Sequence, residues 1–249
     1  MRLGLSVAAL SSLFLSSALL TGCGAGFNTP AAPETLSLGP IQGVVHGGQQ
    51  PIAGSHIYLY AVTVASDYAQ ASTSLLTAAA NTTSDGSSYY VTTDSGGFFS
   101  VTGDYTCTSG QQVYLVASGG DAGAGENPAI KLLAPLGQCG ASGTLAGTVP
   151  NVVINEVTTV AMGYAFAGLA NASLNPNAFN SGDETHLSVP NTTAGISAAA
   201  NAMALALQIT DISTGTARSL TTNGNGIIPY KFVNTVADDM TRAWMECTW

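Results

Sequence analysis

The sequence has few charged side chains, and basic ones are the scarcest. Charged residues make up 8% of the 249 positions, with 5 Lys and Arg against 14 Asp and Glu, and the formal net charge is -9. An ordinary soluble domain carries about 25% charged residues. Beyond Arg2, the basic residues are scattered, at Lys131, Arg218, Lys231 and Arg242. A nucleic-acid binder needs a basic stripe, so the sequence predicts no nucleic-acid partner, and it also lacks a polybasic membrane patch.

Histidine is also scarce, which limits the catalytic and metal-binding schemes that the chain can support. His46 and His56 fall on the polar phase of neighbouring predicted strands, but two imidazoles without a third ligand make a weak zinc site; the third histidine is His186. Ser55 adjoins His56, yet successive side chains of a strand point to opposite faces. No Gly-x-Ser-x-Gly motif occurs. We therefore predict no catalytic residue, no metal and no cofactor.

Carboxylates do occur in the predicted loops, at Asp85, Asp94, Asp104, Asp121 and Glu126. No Asp-x-Asp-x-Asp-Gly loop organises them for calcium. Asp85-Gly86 and Asp94-Ser95-Gly96 are typical of turns. Turn formation is therefore the preferred interpretation of these residues.

The N-terminal segment is apolar and ends at a cysteine. Met1-Arg2 is followed by 18 residues without a charge, Leu3 to Leu20, as in a signal peptide. Leu20-Thr21-Gly22-Cys23 resembles a bacterial lipoprotein cleavage site. The resemblance implies that residues 1–22 are removed and that Cys23 is acylated, which would place the protein outside the cytoplasm with a lipid in the membrane. Because Gly24 rather than Asp follows Cys23, we expect the outer membrane or the cell surface. The alternative is a transmembrane helix before a buried cysteine.

Three further cysteines fit an oxidising compartment. Cys107 and Cys139 lie 32 positions apart, and Cys247 stands alone near the end of the sequence. A disulfide between Cys107 and Cys139 is the simplest assignment. Metal binding is the rival interpretation, and no second Cys-x-x-Cys or Cys/His cluster supplies its ligands.

After a Pro-rich and small-residue segment at 23–38, which predicts a flexible tether, the sequence becomes typical of strands. Two half-buried strands, at 41–46 and 56–60, are predicted to be joined by a turn. Further strands are predicted at 89–93, 98–102, 113–117 and 152–154, with Asp94-Ser95-Gly96-Gly97 as a tight turn. Short strands without intervening helices indicate an antiparallel β-sandwich over residues 39–154.

Several of these residues carry a family resemblance. Gly43-Val44-Val45, Pro51-Ile52-Ala53-Gly54-Ser55, Ile57-Tyr58-Leu59 and Thr92-Thr93-Asp94-Ser95-Gly96-Gly97-Phe98-Phe99 together resemble the carboxypeptidase regulatory-like domain. The resemblance covers roughly residues 39–118 and implies a prealbumin-like, that is transthyretin-like, sandwich without peptidase activity. Residues between Leu59 and Tyr89 depart from the family pattern and predict a long loop or an added hairpin.

The hydrophobic period changes after Asn155, and residues 155–249 are predicted to form a helical region with about three α-helices. The first runs from an Asn155 cap through Ala170, with a stripe at Val157, Val160, Ala161, Tyr164 and Gly168. The second follows Thr193, with a stripe at Ile196, Ala200, Met203 and Leu207. The third starts near Pro229 and carries Phe232, Val233, Val236, Met240 and Trp244. Residues 171–192 are predicted to be a loop. The stop within a turn of a helix, at 245–249, motivates the hypothesis that this region is truncated.

The candidate binding surface is aromatic. Tyr58 and Tyr60 share one phase of a predicted strand, with Tyr89 or Tyr90 nearby, and exposed tyrosines can stack on sugars or anchor a protein. The other interpretation, which we prefer because the helices need an apolar surface to bury their stripes, is that the helical region packs over these tyrosines.

Together these patterns predict a mostly β, lipid-anchored protein of the cell envelope that acts as a non-catalytic binding, adhesion or scaffold module. Its partner would be an envelope protein or a polysaccharide. One alternative is a carbohydrate- or peptide-binding accessory component of a secreted processing system. Another is an extracytoplasmic hydrolase with an unrecognised site.

Overall fold

The computed structural model describes residues 35–37, 40–102, 105–140, 151–170 and 182–217, with residues 35–37 described by their backbone. The protein is mostly β with two helices in this part of the chain. Its strands are β1 (Thr35–Ser37), β2 (Ile41–Gly47), β3 (Gln50–Pro51), β4 (His56–Ala61), β5 (Thr63–Ala65), β6 (Thr73–Ser74), β7 (Thr83–Ser84), β8 (Tyr89–Thr92), β9 (Phe98–Val101), β10 (Thr106–Thr108), β11 (Gln112–Ser118), β12 (Lys131–Gln138), β13 (Val152–Ile154), β14 (Ser188–Pro190), β15 (Thr210–Asp211) and β16 (Thr216–Ala217). The helices are α1 (Glu156–Ala170) and α2 (Thr193–Ile209).

The larger sheet has the strand order β12-β11-β4-β8-β7, and its pairs are antiparallel. One edge of β4 pairs along its whole length with β11, whereas the other edge is shared between β8 and the short β6. The insertion between Leu59 and Tyr89 therefore returns to the sheet through β6 and β7, and β5 pairs in parallel with β14.

The smaller sheet has β2 at its centre, with β13 parallel on one side and β9 antiparallel on the other; β3 pairs with the end of β2. Alternate side chains of both sheets meet in one hydrophobic core, because a strand presents every second residue to the same face. β2 contributes Ile41 and Val45, and β4 contributes Ile57, Leu59 and Ala61 to this first core. The two strands predicted to be joined by a turn therefore lie in different sheets, β2 in the smaller one and β4 in the larger one.

A second core lies on the other face of the larger sheet, where α1 and α2 pack over β12 and β11. Phe166 and Met162 of α1 and Met203 of α2 are buried there against Tyr114 and Leu133. The part of the sheet formed by β12 and β11 is therefore covered on both faces, and this explains why β11 is a continuous apolar run with no polar alternation.

The sequence Asn155-Glu-Val-Thr-Thr attaches α1 to the edge strand β12. The Asn155 side chain accepts a hydrogen bond from Thr158 N at 3.1 Å, which confirms the predicted cap. The Thr158 hydroxyl donates to the Leu133 carbonyl at 2.6 Å, and Thr159 Oγ1 accepts from Leu133 N at 2.9 Å. Two threonine hydroxyls thus pair with the backbone groups that a further strand would otherwise occupy.

Two predicted features of local structure are confirmed. The turn at 94–97 connects β8 to β9, and its Gly97 has φ +75°, a conformation that favours glycine. A Cβ atom at Gly97 would lie 2.6 Å from the Val45 carbonyl oxygen. Cys107 and Cys139 form a disulfide with a Cα–Cα distance of 6.2 Å, and both are buried.

The first helix begins and ends, and the second begins, close to the predicted positions, but the stripes predicted to face the core are wrong. Of the first stripe, Ala161 alone is buried, and Tyr164 is exposed. Of the second stripe, Met203 alone is buried, and the face that packs is a small-residue one: Gly195, Ala199, Ala202, Met203 and Ala206. Both helices are apolar around most of their circumference, so hydrophobicity could not fix the phase, whereas close helix packing selected the smallest side chains.

Other predictions need correction or fall outside the described residues. The predicted loop at 171–192 contains β14 and a single 3-10 turn at Asp183–Thr185 in its described part. Part of the predicted tether, Thr35–Ser37, pairs with β10. The signal peptide, Cys23, Asp104, Cys247 and the third helix lie outside the described residues.

Candidate functional site

Five rings form a continuous series on the helix-facing side of the larger sheet, and we call this series the aromatic row. It consists of His56, Tyr90, Tyr58, Tyr60 and Tyr114. Tyr58 and Tyr60 are two residues apart on β4 and therefore share a face. Their ring centroids are 5.9 Å apart with an angle of 16° between the ring planes.

Neighbouring strands extend the aromatic row in both directions. Tyr60 is directly paired with Tyr114 of β11, and the two centroids are 6.0 Å apart. Tyr90 of β8 lies 5.5 Å from Tyr58, and the His56 ring stacks on Tyr90 with a centroid distance of 3.8 Å. The row thus crosses three adjacent strands.

The aromatic row has a buried end and an accessible end. Tyr114 is 0% exposed and Tyr60 is 7% exposed, and both belong to the second core. His56, Tyr58 and Tyr90 are half-buried. For Tyr60 the interpretation that the helical region covers the tyrosines is confirmed, because Tyr60 is buried in the core that contains residues of both helices. Its place in an exposed binding surface is therefore wrong.

The sequence left open whether Tyr89 or Tyr90 accompanies Tyr58. The structure places Tyr90 in the aromatic row, whereas Tyr89 packs against the first core. The reason is the alternation along β8, which sends these two side chains to opposite faces.

An exposed carboxylate stands at the accessible end of the aromatic row. Asp85 Oδ2 accepts a hydrogen bond from the Tyr58 hydroxyl at 3.0 Å. Asp85 Oδ1 accepts from the backbone N–H groups of Ser87 and Ser88, at 2.8 and 2.7 Å. Those two backbone donors, with the Tyr58 hydroxyl adding to them, hold the pKa of Asp85 below its ordinary value. Asp85 is consequently a fixed, ionised group.

The phenols of Tyr58 and Tyr60 are held as neutral donors. Burial, followed by the hydrogen bond to Asp85, raises the pKa of Tyr58 above its ordinary value. Burial also raises the pKa of Tyr60, whose hydroxyl lies 3.4 Å from Ser88 Oγ. The loop that holds Asp85 therefore binds two rings of the row through their hydroxyls.

The buried end of the row meets a carboxylate of a different kind. Glu184 is 5% exposed, its Oε2 accepts from Gly182 N at 2.7 Å, and its Oε1 lies 3.9 Å from Lys131 Nζ. The Tyr114 hydroxyl lies 2.9 Å from the Glu184 carbonyl oxygen. Lys131 thus balances the charge of Glu184. By contrast, among the residues that the structure describes, no Lys, Arg or His forms an ion pair with Asp85.

The remaining polar residues singled out from the sequence do not join this site. His46 lies on β2 in the smaller sheet, whereas His56 of the aromatic row lies on β4 in the larger sheet, so the two histidines are on different sheets. His186 Nδ1 lies 3.0 Å from the Gly182 carbonyl oxygen. Ser55 is buried, and its hydroxyl contacts the Ser118 carbonyl oxygen at 3.3 Å.

The other described loop carboxylates that make hydrogen bonds organise turns. Asp94 Oδ1 accepts from Gly96 N and Phe98 N, at 2.8 and 3.0 Å. Asp121 Oδ1 accepts from Gly123 N and Gly125 N, at 2.6 and 2.9 Å. Within the described ranges, no group of three or more His, Cys, Asp or Glu side chains is placed to hold a metal ion.

The sequence pattern predicts a turn at Asp85 and does not link this residue to the tyrosines. The turn is real, but the link to Tyr58 joins positions 27 residues apart. The shared period-two phase of His56, Tyr58 and Tyr60 was the available signal for the row. No local signal identified Asp85, because its position depends on how the insertion folds back to β8.

Of the helices in the described part of the chain, neither combines the length and apolarity that a membrane crossing requires. In comparisons with protein-family models, curated proteins and solved structures, nothing matches this chain.

Proposed function

We propose that this protein is a lipid-anchored, non-catalytic binding module of the cell envelope, and that the accessible end of the aromatic row is its binding face. The observation that carries the proposal is the half-buried group of His56, Tyr58 and Tyr90 beside the ionised Asp85. Aromatic side chains with a polar handle provide contact area at low entropic cost. They are preferred anchors at binding surfaces.

The fold supports this function by making the face rigid. The strands that carry the row pack their opposite face into the first core, and the Asp85 loop holds Tyr58 through its hydroxyl. Side chains held on rigid strands lose little freedom on binding. The shared core of the two sheets suits the prealbumin-like sandwich that the family resemblance implies, and in this proposal that sandwich is the scaffold of the face.

The envelope location rests on the sequence around Cys23. Acylation of this residue would fix the protein to a membrane, and a tether would hold the folded part away from the surface. Replacing Cys23 by Ala is expected to abolish incorporation of labelled fatty acid and to move the protein out of the membrane fraction. An unchanged membrane fraction would refute the anchor.

The binding face is tested by retention on immobilised envelope material. The full chain, purified in mild detergent, is passed over isolated cell-wall polymer, and a Tyr58→Ala/Tyr90→Ala variant is compared with it. Phe98→Ala is the matched control, since Phe98 is an aromatic side chain on β9 that is 61% exposed. We expect the double variant to lose retention by about tenfold or more, for two lost aromatic contacts, and the control to keep it.

Equal retention of the double variant and the native chain would contradict the proposed face. Because Tyr90 stacks on His56, both variants are first compared by far-UV circular dichroism and thermal unfolding. A loss of retention counts only where these measurements show a native fold.

A further inference from the structure

We infer that the accessible end of the aromatic row binds a polysaccharide through a protonated amine, so that the ligand is an amino-sugar polymer. This inference rests on the proposed function and specifies the chemistry of the same face. It is argued from the charge at Asp85, from the rings beside it and from the hydroxyl groups around them.

The hydrogen bonds of Asp85 leave one acceptor position of its carboxylate available. A carboxylate offers about four acceptor positions. Oδ1 accepts from Ser87 N and Ser88 N, and Oδ2 accepts from the Tyr58 hydroxyl. One position on Oδ2 therefore stays available on an exposed, ionised group. A cationic donor is the partner that this position favours most, because charge-assisted hydrogen bonds are the stronger ones.

The carboxylates at the two ends of the aromatic row differ in whether a cationic side chain lies beside them. Glu184 at the buried end already has Lys131 at 3.9 Å. Asp85 at the accessible end has no such partner among the described residues, in a chain whose formal net charge is -9. The face is thus complementary to a positive ligand and unfavourable for an anionic one.

The rings of Tyr58 and Tyr90 offer a protonated amine a second favourable interaction. A cation within about 6 Å of a ring centroid is attracted by the electron-rich face of the ring. Tyr58 and Tyr90 have centroids 5.5 Å apart, and the hydroxyl of Tyr58 is itself bonded to Asp85. A ligand amine on Oδ2 therefore places the adjoining carbon skeleton of the ligand against these two rings.

The shape of this face and the hydroxyl groups at its edge favour a sugar over a lysine side chain. A pyranose presents C–H groups on its flat faces and hydroxyls at its edge. The accessible end of the row likewise presents half-buried ring surface, with the Tyr58 hydroxyl, exposed Ser87 and half-buried Ser88 beside it. A lysine side chain would pair with the carboxylate and contact the rings, but it would form no hydrogen bond with the surrounding hydroxyl groups.

The test compares two oligosaccharides of equal length that differ in charge. Binding of a glucosamine hexamer and of an N-acetylglucosamine hexamer to the full chain in mild detergent is measured by isothermal titration calorimetry. The titrations are made at about pH 5.5, where Asp85 is ionised and the amine is protonated. We expect the glucosamine hexamer to bind about tenfold tighter, the gain from one charge-assisted hydrogen bond with an adjacent ring contact.

Asp85→Asn is the decisive variant, because the amide oxygen can still accept from Ser87 N and Ser88 N while the charge is removed. It should bring the two affinities to within about twofold of each other and leave the N-acetylglucosamine hexamer unaffected. Phe98→Ala should change neither affinity. Unfolding measurements on Asp85→Asn establish that the loop remains folded.

Each other outcome overturns the inference. Equal affinities in the native chain, or a preference that persists in Asp85→Asn, would show that the charge is not recognised. Tight binding of a tetralysine peptide at the expense of the glucosamine hexamer would assign the face to a protein partner. If neither hexamer binds while retention on cell-wall polymer still depends on Tyr58 and Tyr90, the inference fails and the proposed function stands. If that retention is also independent of both tyrosines, the proposed function fails.

Discussion

Thr159 makes one of the two threonine hydrogen bonds between α1 and the edge strand β12, and its replacement by Val measures the strength of that hydrogen bond. Thr159 is 4% exposed, and its Oγ1 accepts from Leu133 N at 2.9 Å while donating to the Asn155 carbonyl at 2.6 Å. Valine has a similar shape and helix propensity. The Asn155 carbonyl still accepts from Thr159 N at 3.0 Å. The substitution therefore leaves one group, the Leu133 N–H, without its acceptor.

Leaving a buried N–H without an acceptor costs about 1–3 kcal/mol. We therefore expect Thr159→Val to lower the free energy of unfolding by about 2 kcal/mol, measured by urea unfolding at neutral pH with the disulfide intact. Thr159→Ser keeps the hydroxyl and should recover most of the loss. Thr106→Val, an exposed threonine on β10, should stay within about 0.5 kcal/mol of the native chain.

A loss for Thr159→Val no larger than that for Thr106→Val would refute the reasoning. It would mean that water or a shifted α1 satisfies the Leu133 N–H, and that the threonine hydroxyls do not stabilise the edge of the sheet. Amide hydrogen exchange at Leu133 gives an independent check, because a lost hydrogen bond should speed exchange there first.

Three other predictions concern stability and titration. Replacing both Cys107 and Cys139 by Ala should lower the free energy of unfolding by about 3–4 kcal/mol in urea, the chain-entropy value for a loop of this length; a loss below about 1 kcal/mol would contradict it. Gly97→Ala should cost about 1–3 kcal/mol by the same assay, because it combines a positive φ with an overlap on the Val45 carbonyl, and a neutral effect would contradict the turn geometry. In a spectrophotometric titration of tyrosinate, part of the absorbance should rise only well above pH ~10, since burial raises the pKa of Tyr58, Tyr60, Tyr105 and Tyr114. A raised folded pKa stabilises the protein below the unfolded pKa, and this contribution is lost as the pH rises through the folded pKa; a single transition near pH ~10 in the folded protein would contradict the burial of these rings.

Sequence patterns were most informative where local chemistry decides the structure. The turn at 94–97 follows from Asp and Gly, and the start of α1 follows from Asn155, because both depend on hydrogen bonds within a few residues. The paired cysteines were also identifiable, since the alternatives lacked ligands or partners.

The strand β12 was missed for a physical reason. Its sequence, Lys-Leu-Leu-Ala-Pro-Leu-Gly-Gln, has no alternation, because both faces of the strand are covered. Pro135 and Gly137 also argue against a strand. The structure accommodates them where the register with β11 shifts, next to Tyr114, on an edge strand.

The candidate site was only partly predictable. Tyr58 and Tyr90 lie in the accessible part of the aromatic row, as their phases allowed. Tyr60 is buried in the second core, and the packing of the two helices determines which part of the sheet this core covers. The position of α2 depends on buried small residues such as Ala199 and Ala202, which do not stand out in a sequence rich in alanine. Asp85 reaches Tyr58 through the fold of an insertion, which no local pattern specifies.

The central claim is that ligand binds at the accessible end of the aromatic row. The most direct measurement is a nuclear magnetic resonance titration of the full chain, labelled with ¹³C in its aromatic rings, with the glucosamine hexamer. The account predicts progressive shifts of the Tyr58 and Tyr90 ring signals, with no shift of Phe98 on the smaller sheet or of Tyr105 in the first core. Unchanged Tyr58 and Tyr90 signals, or shifts centred on Phe98, would contradict it.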